Sequence, residues 1–146
     1  MGINKLRGNR VISGSWGELW WNNDKIFDVS KFEAKVTAER EDVIQGGSLD
    51  IDSKLVALKG EGSFTCKRVY SRGIKNLIDY WIQGKDPRSV LIGKLDDPDS
   101  YGAERIVFNN VWFSEAVIMT FEGKKVIEEE FKFNFTVSDV DFQQII

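Results

Sequence analysis

The chain has 146 residues and a mass of 16.7 kDa, the size of one domain with room for a substantial core. It holds no His and a single Cys, which excludes Ser-His-Asp and Cys-His catalysis, imidazole metal ligation, intrachain disulfides and CxxC zinc sites. Its net charge of −3 and pI of about 5.1 argue against an independent, nonspecific nucleic-acid binder, though not against a local basic patch.

Lys5, Arg7 and Arg10 are followed by no apolar signal region, and no run of about 18 apolar residues is present to span a membrane. Leu6 stands where a myristoylation motif needs Ser or Thr. The chain is expected to be made in a reducing cytoplasm, with Cys66 as a free thiol. It reads as one domain, 1–146, with residues 1–11 and 139–146 as arms.

Trp20 and Trp21 are adjacent, and adjacent strand residues point to opposite faces. One indole enters a core; a second layer or another subunit must cover the other. From Phe32 the period is two: Phe32, Ala34, Val36 and Ala38 on one side, Glu33, Lys35, Thr37, Glu39 and Glu41 on the other. Residues 42–58 have no clean period and read as a long loop or protruding hairpin. Residues 59–69 alternate again, with Phe64 and Cys66 opposite Glu61, Ser63, Thr65 and Lys67. Gly60 and Gly62 fit a strand bend or a close backbone approach better than a phosphate loop, because a strand follows them.

Ile74, Leu77, Ile78, Trp81 and Ile82 follow helical spacing and predict a helix over about 73–84. Ser71 is its candidate cap, Lys75 and Asp79 its i, i+4 pair, and Gly84 its C-terminal left-handed position. Asp96, Asp97, Pro98 and Asp99 form a turn cluster rather than a calcium loop. Residues 104–121 are apolar on both faces, with a bulge or bend expected at Asn109-Asn110. Glu129, Phe131, Phe133, Phe135 and Val137 then alternate with Glu130, Lys132, Asn134 and Thr136.

Cys66 reads as a buried small hydrophobe, because no histidine could activate it. Glu128-Glu129-Glu130 reads as a solvated strand end rather than a carboxylate pair for acid/base work, and Lys67-Arg68 with Arg72 as solvated surface. The 5 Trp, 10 Phe and 3 Tyr exceed what one small core absorbs on two-faced strands. Core plus oligomer interface is the favoured use; a sugar platform at Trp20 and Trp21 is the other. Trp20, Trp21, Phe32, Phe64, Trp81, Trp112, Phe113, Phe131, Phe133 and Phe135 are the expected core or interface residues.

Several motifs occur in a familiar order. Ile12-Ser13-Gly14 is followed by Gly17-Glu18-Leu19, Phe32-Glu33-Ala34 with Val36, and Gly60 and Gly62 before Ser63-Phe64-Thr65. Gly84-Lys85-Asp86-Pro87, Leu95-Asp96-Asp97, Glu104-Arg105 and Glu128-Glu129-Glu130 with Phe133, Phe135, Asp139 and Val140 continue it. In this order the chain, over residues 12–140, resembles the tail tube proteins of contractile bacteriophage-like particles, in particular those of PBSX-like defective prophages. It departs from them at Lys132, where a proline is expected, and in the apolar character of 42–58.

The resemblance implies a mainly β, sandwich- or barrel-like domain with one helix, and no enzyme activity or cofactor. It implies six copies to a ring, each lending strands to one continuous barrel, with rings stacked into a tube. Partners would be further copies of the chain, a contractile sheath, baseplate or tail-initiator proteins and a tail terminator. DNA would pass without specific binding in a phage, ions in a bacteriocin-like particle. The solvent side of the helix, Lys75, Asp79 and Gln83, would then turn toward the sheath. A strand that is wet on one face and apolar on the other suits such a channel. The expected lumen residues are Glu33, Lys35, Thr37, Glu39, Glu41, Glu61, Ser63, Thr65, Lys67, Glu130, Lys132, Asn134 and Thr136. That set holds five Glu and three Lys, an acidic lining of −2 per subunit. The competing class is a monomeric β-sandwich module that binds carbohydrate or protein.

Overall fold

The computed structural model describes residues 5–71 and 73–146. Its strands are β1 (Gly17–Trp21), β2 (Asp24–Lys25), β3 (Val29–Ile44) and β4 (Ile51–Lys67), then β5 (Ser89–Leu95), β6 (Glu104–Phe113), β7 (Glu128–Phe135) and β8 (Val140–Gln144). Helix α1 (Ile74–Ile82) lies between β4 and β5. All strands join one antiparallel sheet in the order β2-β1-β5-β6-β7-β4-β3, with β8 added on β6. The mainly β fold with one helix agrees with the sequence reading.

One irregularity makes two layers of this sheet. Phe108 of β6 faces Leu91 of β5, yet Val111 faces Ser89, so β6 carries an extra residue at Asn109-Asn110. This is the bulge anticipated there. On its other edge β6 pairs with β8 before the bulge, through Arg105–Phe108, and with β7 after it, through Val111–Phe113. Residues 139–146, read as an arm, hold β8 because that first half of the edge is vacant. The bulge is fastened: Asn110 Nδ2 donates to Thr136 Oγ1 at 2.8 Å and Asn109 Nδ2 to the Asp139 carbonyl at 3.0 Å.

Beyond the bulge the sheet turns over on itself. Trp21 of β1 touches Phe64 of β4 and Phe131 of β7, at ring separations of 5.7 and 5.6 Å, although these strands are distant in the sheet order. Phe32 of β3 meets Phe108 of β6 at 6.0 Å. Between the layers lie Leu19, Phe64, Cys66, Leu91, Phe108, Val111, Phe113, Phe131, Phe133 and Phe135, all buried. Each fully buried Phe or Leu stabilises the fold by roughly 1.5–3 kcal/mol. Gly60 and Gly62 admit this packing: a Cβ on Gly60 would lie 2.6 Å from the Phe135 carbonyl oxygen and ring.

Helix α1 starts after Gly73, which is left-handed at φ 73°, and ends before Gly84, left-handed at φ 74°. The Lys75–Asp79 pair is present at 3.3 Å. Ser71 does not cap through its hydroxyl; its backbone carbonyl accepts from the Ile74 N–H at 3.3 Å instead. Ile74, Leu77, Ile78 and Trp81 pack on the core, whereas Ile82, read with them, is exposed because the helix ends there.

Two further readings are corrected. The two-faced strand expected over 104–121 stops at Phe113, and residues 114–122 are irregular, leaving Val117, Ile118, Met119 and Phe121 exposed. Glu129 is not a solvated strand end. It lies opposite Cys66 on the phenylalanine side of β7, is 2% exposed, and pairs with Arg68. Arg68 and Lys67 are accordingly ion-paired, Lys67 to Glu128; Arg72 lies outside the described residues.

Candidate functional site

The outer face of β3, β4 and β7 is a polar surface laid down in cross-strand rows. Lys31, Thr65 and Glu130 form one row; Glu33, Ser63 and Lys132 the next; Lys35, Glu61 and Asn134 the third. Lys67 and Glu128 close one end. Toward the other, Thr37 faces Lys59, Glu39 faces Ala57 and Glu41 faces Lys54. All the residues read as lumen-facing on these three strands share this face. Thr136 lies one residue beyond β7, with its hydroxyl held by Asn110.

Direct contacts across the face join opposite charges. Lys35 Nζ lies 3.7 Å from Glu61, Lys132 Nζ lies 3.8 Å from Glu115, and Lys67 pairs with Glu128. Exposed pairs of this kind contribute little to stability, about 0–1 kcal/mol each. Their arrangement matters more. The sequence reading omitted Lys31, Lys54, Lys59 and Glu128, which the register places on the same face. Continuing the alternation two residues back from Glu33, Glu61 and Glu130 would have found Lys31, Lys59 and Glu128; Lys54 needs the register. Over residues 31–41, 54–67 and 128–134 the face carries six Lys and six Glu, so zero replaces the expected −2 and the signs interleave.

Trp112 belongs to this face and not to the core. It stands opposite Asn134, half-buried, with the Arg88 guanidinium 4.5 Å above its ring. Its neighbours Val111 and Phe113 take the two inward positions. Trp21 is the inward member of the Trp20-Trp21 pair. Trp20 is half-buried on the opposite layer's outer face, beside Ile92 and with Lys25 5.7 Å from its ring. Phe32, Phe64, Trp81, Phe113, Phe131, Phe133 and Phe135 all contribute to the inter-layer core.

A second surface is the outer half of the β3–β4 hairpin, with residues 45–50 as its turn. Residues 42–58, read as a long loop or protruding hairpin, are the ends of the two strands and that turn. Glu39 faces Ala57 but Arg40 faces Leu55, so Val56 is an extra residue. Beyond it the pattern of β4 shifts by one, and Leu55 joins Val36, Ala38 and Leu58 on the continuation of the phenylalanine side. No second layer lies over them among the described residues: Val36 is 50%, Leu58 55% and Ile44 79% exposed. A bare two-stranded ribbon is marginal in water, and exposed apolar side chains gathered on it mark a contact surface, here with Arg40, Asp42 and Ser53 set between Leu55 and the Ile44–Ile51 pair.

A latch holds the N-terminal segment. Asp97 accepts hydrogen bonds from the Ser13 and Asp99 amides, each at 2.9 Å, and these hold its carboxyl below the usual range. Arg10 reaches the same turn, donating to the Asp99 carbonyl at 3.0 Å and stacking on Tyr101 at 5.0 Å.

Solved structures with this fold include a chain from the structure of the anti-feeding prophage cap (AFP tube terminating cap), with a TM-score of 0.72 at 7% identity over 97% of both chains. A chain from the sheath–tube complex of an extracellular contractile injection system (PVC) in its extended state matches with a TM-score of 0.65 at 10% identity, over 92% of this chain and 93% of that one. In sequence the chain is 31% identical over 137 residues to the phage-like element PBSX protein XkdM of Bacillus subtilis (strain 168), covering 92% of this chain and 93% of the relative. The family model for phage tail tube proteins matches residues 4–143. With a sheet wet on one side, a phenylalanine layer behind it and an unpartnered hairpin, the chain belongs to the phage tail tube protein family.

Proposed function

We propose that six copies of the chain form a ring, that rings stack into a hollow tube inside a contractile sheath, and that the tube is a conduit through a target cell envelope. The β3–β4–β7 polar face lines the channel. The layer of β1, β5 and β8, with α1, turns outward toward the sheath. The chain acts as a structural subunit and performs no catalysis. Its place is the tail of a virion or phage-like particle, where baseplate and terminator proteins cap the two ends.

The observation that carries this reading is the outer half of the β3–β4 hairpin. In a single copy it exposes Val36, Leu55, Leu58, Ile44 and Ile51 with no layer over them among the described residues. A neighbouring copy supplies the missing layer, and sheet closure around a ring removes the free edges that otherwise invite aggregation. Membership of the tail tube family and the fold shared with a chain of a sheath–tube complex support the same arrangement.

The test is negative-stain microscopy of concentrated protein beside a variant in which residues 42–53 are replaced by Asn-Gly. Glu41 and Lys54 then close a two-residue turn, and the domain keeps its core. Wild-type protein gives rings and tubes; the variant keeps its melting temperature and loses tube elongation. Normal tubes from the variant, or only monomers from wild-type protein at every concentration, would refute the reading.

A further inference from the structure

We infer that the channel wall has no dominant sign, so that it passes anions and cations with similar ease, and that Lys31 and Lys59 set this property. The inference rests on reading the β3–β4–β7 face as the lining.

Charge on this face is balanced within cross-strand rows. Lys31 shares its row with Glu130, Glu33 with Lys132, and Lys35 with Glu61. Neighbouring strands lie ~4.8 Å apart, and same-face residues on one strand ~6.8 Å apart. Opposite partners therefore sit within about 5–10 Å, no farther than a Debye length of roughly 8–10 Å at physiological salt. A charge with a counter-charge that close contributes little potential toward the middle of a wide channel. Strand tilt does not change this, because a neutral row stays neutral in whatever direction it runs. Six-fold repetition multiplies whatever one subunit carries, and here it multiplies near-zero.

Lys31 and Lys59 tip the balance. Without them the face would hold four Lys against six Glu, and repetition would build acidic rings. Lys59 lies one row from Glu39 on the neighbouring strand. Neither lysine is paired by the alternation of one strand alone; only the three-strand register shows their role.

The experiment places a reporter in the middle of the grid. Ser63→Cys is labelled with an uncharged fluorophore, the buried Cys66 thiol being out of reach, and the protein is assembled into tubes. Quenching by iodide, caesium and acrylamide is compared with that of the free dye. In wild-type tubes the iodide and caesium constants agree within about twofold after normalisation. In Lys31→Glu/Lys59→Glu tubes, where the face holds four Lys and eight Glu, caesium exceeds iodide by about fivefold or more. If the double variant does not assemble, Lys59→Glu alone is measured for the same shift. Wild-type tubes that already favour caesium fivefold, or a variant with an unchanged ratio, overturn the inference while leaving the lining in place. A label in tubes that a polymer-bound quencher too bulky for the channel still reaches, or that acrylamide no longer reaches, overturns the lining reading itself.

Discussion

Gly62→Ala tests the inter-layer packing most directly. Gly62 lies between Ala34 of β3 and Phe133 of β7 in the cross-strand register. A Cβ there would fall 2.5 Å from the tip of the Phe133 ring and 3.0 Å from the Ala34 Cα, and against the Glu33 carbonyl oxygen. The ring has no room to withdraw: it is 1% exposed, stacked on Phe32 at 5.9 Å, and bounded by Phe64, Phe108 and Phe135. The strands must therefore part, an overpacking cost of about 1–3 kcal/mol. The lower entropy of the unfolded alanine chain returns about 0.4–1 kcal/mol. The net loss is about 1–2 kcal/mol, or roughly 2–8 °C in melting temperature for a chain of this length. Urea unfolding of the unassembled protein measures it, with Gly46→Ala as control, since nothing lies within 4 Å of a Cβ at Gly46. A Gly62→Ala midpoint equal to that of wild type or above it would refute the packing argument.

Arg68→Ala leaves the buried Glu129 carboxylate without this partner and costs about 3–5 kcal/mol, whereas Arg68→Met with Glu129→Leu recovers most of the loss; a double-mutant cycle in denaturant reads both. Trp21→Ala removes an indole in contact with Phe64, Phe113 and Phe131 and costs about 3–5 kcal/mol. Trp112→Ala, on the polar face, costs about 1 kcal/mol, chiefly the Arg88 stacking, so equal melting temperatures for the two variants would contradict the assignment of faces. The pKa of Asp97 is depressed in the fold, so its stabilising contribution is fully present above the ordinary carboxylate value of about 3.9 and is lost as pH falls through the lower folded value. The Ser13 and Asp99 amide resonances hold their positions to below pH ~4 and then shift together. Asp97→Ala abolishes that joint transition.

Where period two is clean, as from Phe32 to Glu41 and from Glu129 to Phe135, the sequence shows both the strand and its inward face. The apolar spacing and the left-handed Gly84 likewise mark the helix, and the Asn109-Asn110 pair inside an apolar run marks the bulge. Glu129 was not legible in the same way. In a strand a glutamate reads as wet, and the group that makes its burial tolerable, Arg68, is 61 residues away. Residues 117–121 mislead in the opposite sense, being apolar enough for a strand yet without one. The polar face of β3, β4 and β7 was half legible: each strand announced its polar side, but its charge balance depends on how three strands align, which alternation within one strand does not encode.

The paired alternation beyond Val56 limits how the hairpin can change length. Side chains alternate with period two, so removing one residue from β4 beyond the bulge, such as Ser53, would send Asp52 to the apolar side and turn Ile51 to the charged one, whereas removing Val56 itself would erase the bulge and keep both faces. Paired additions, two residues to each strand, preserve both faces; odd ones exchange them. The reach of this hairpin is therefore quantised, in steps of about 7 Å along the strand, and an engineer or a lineage extending it must move by whole steps.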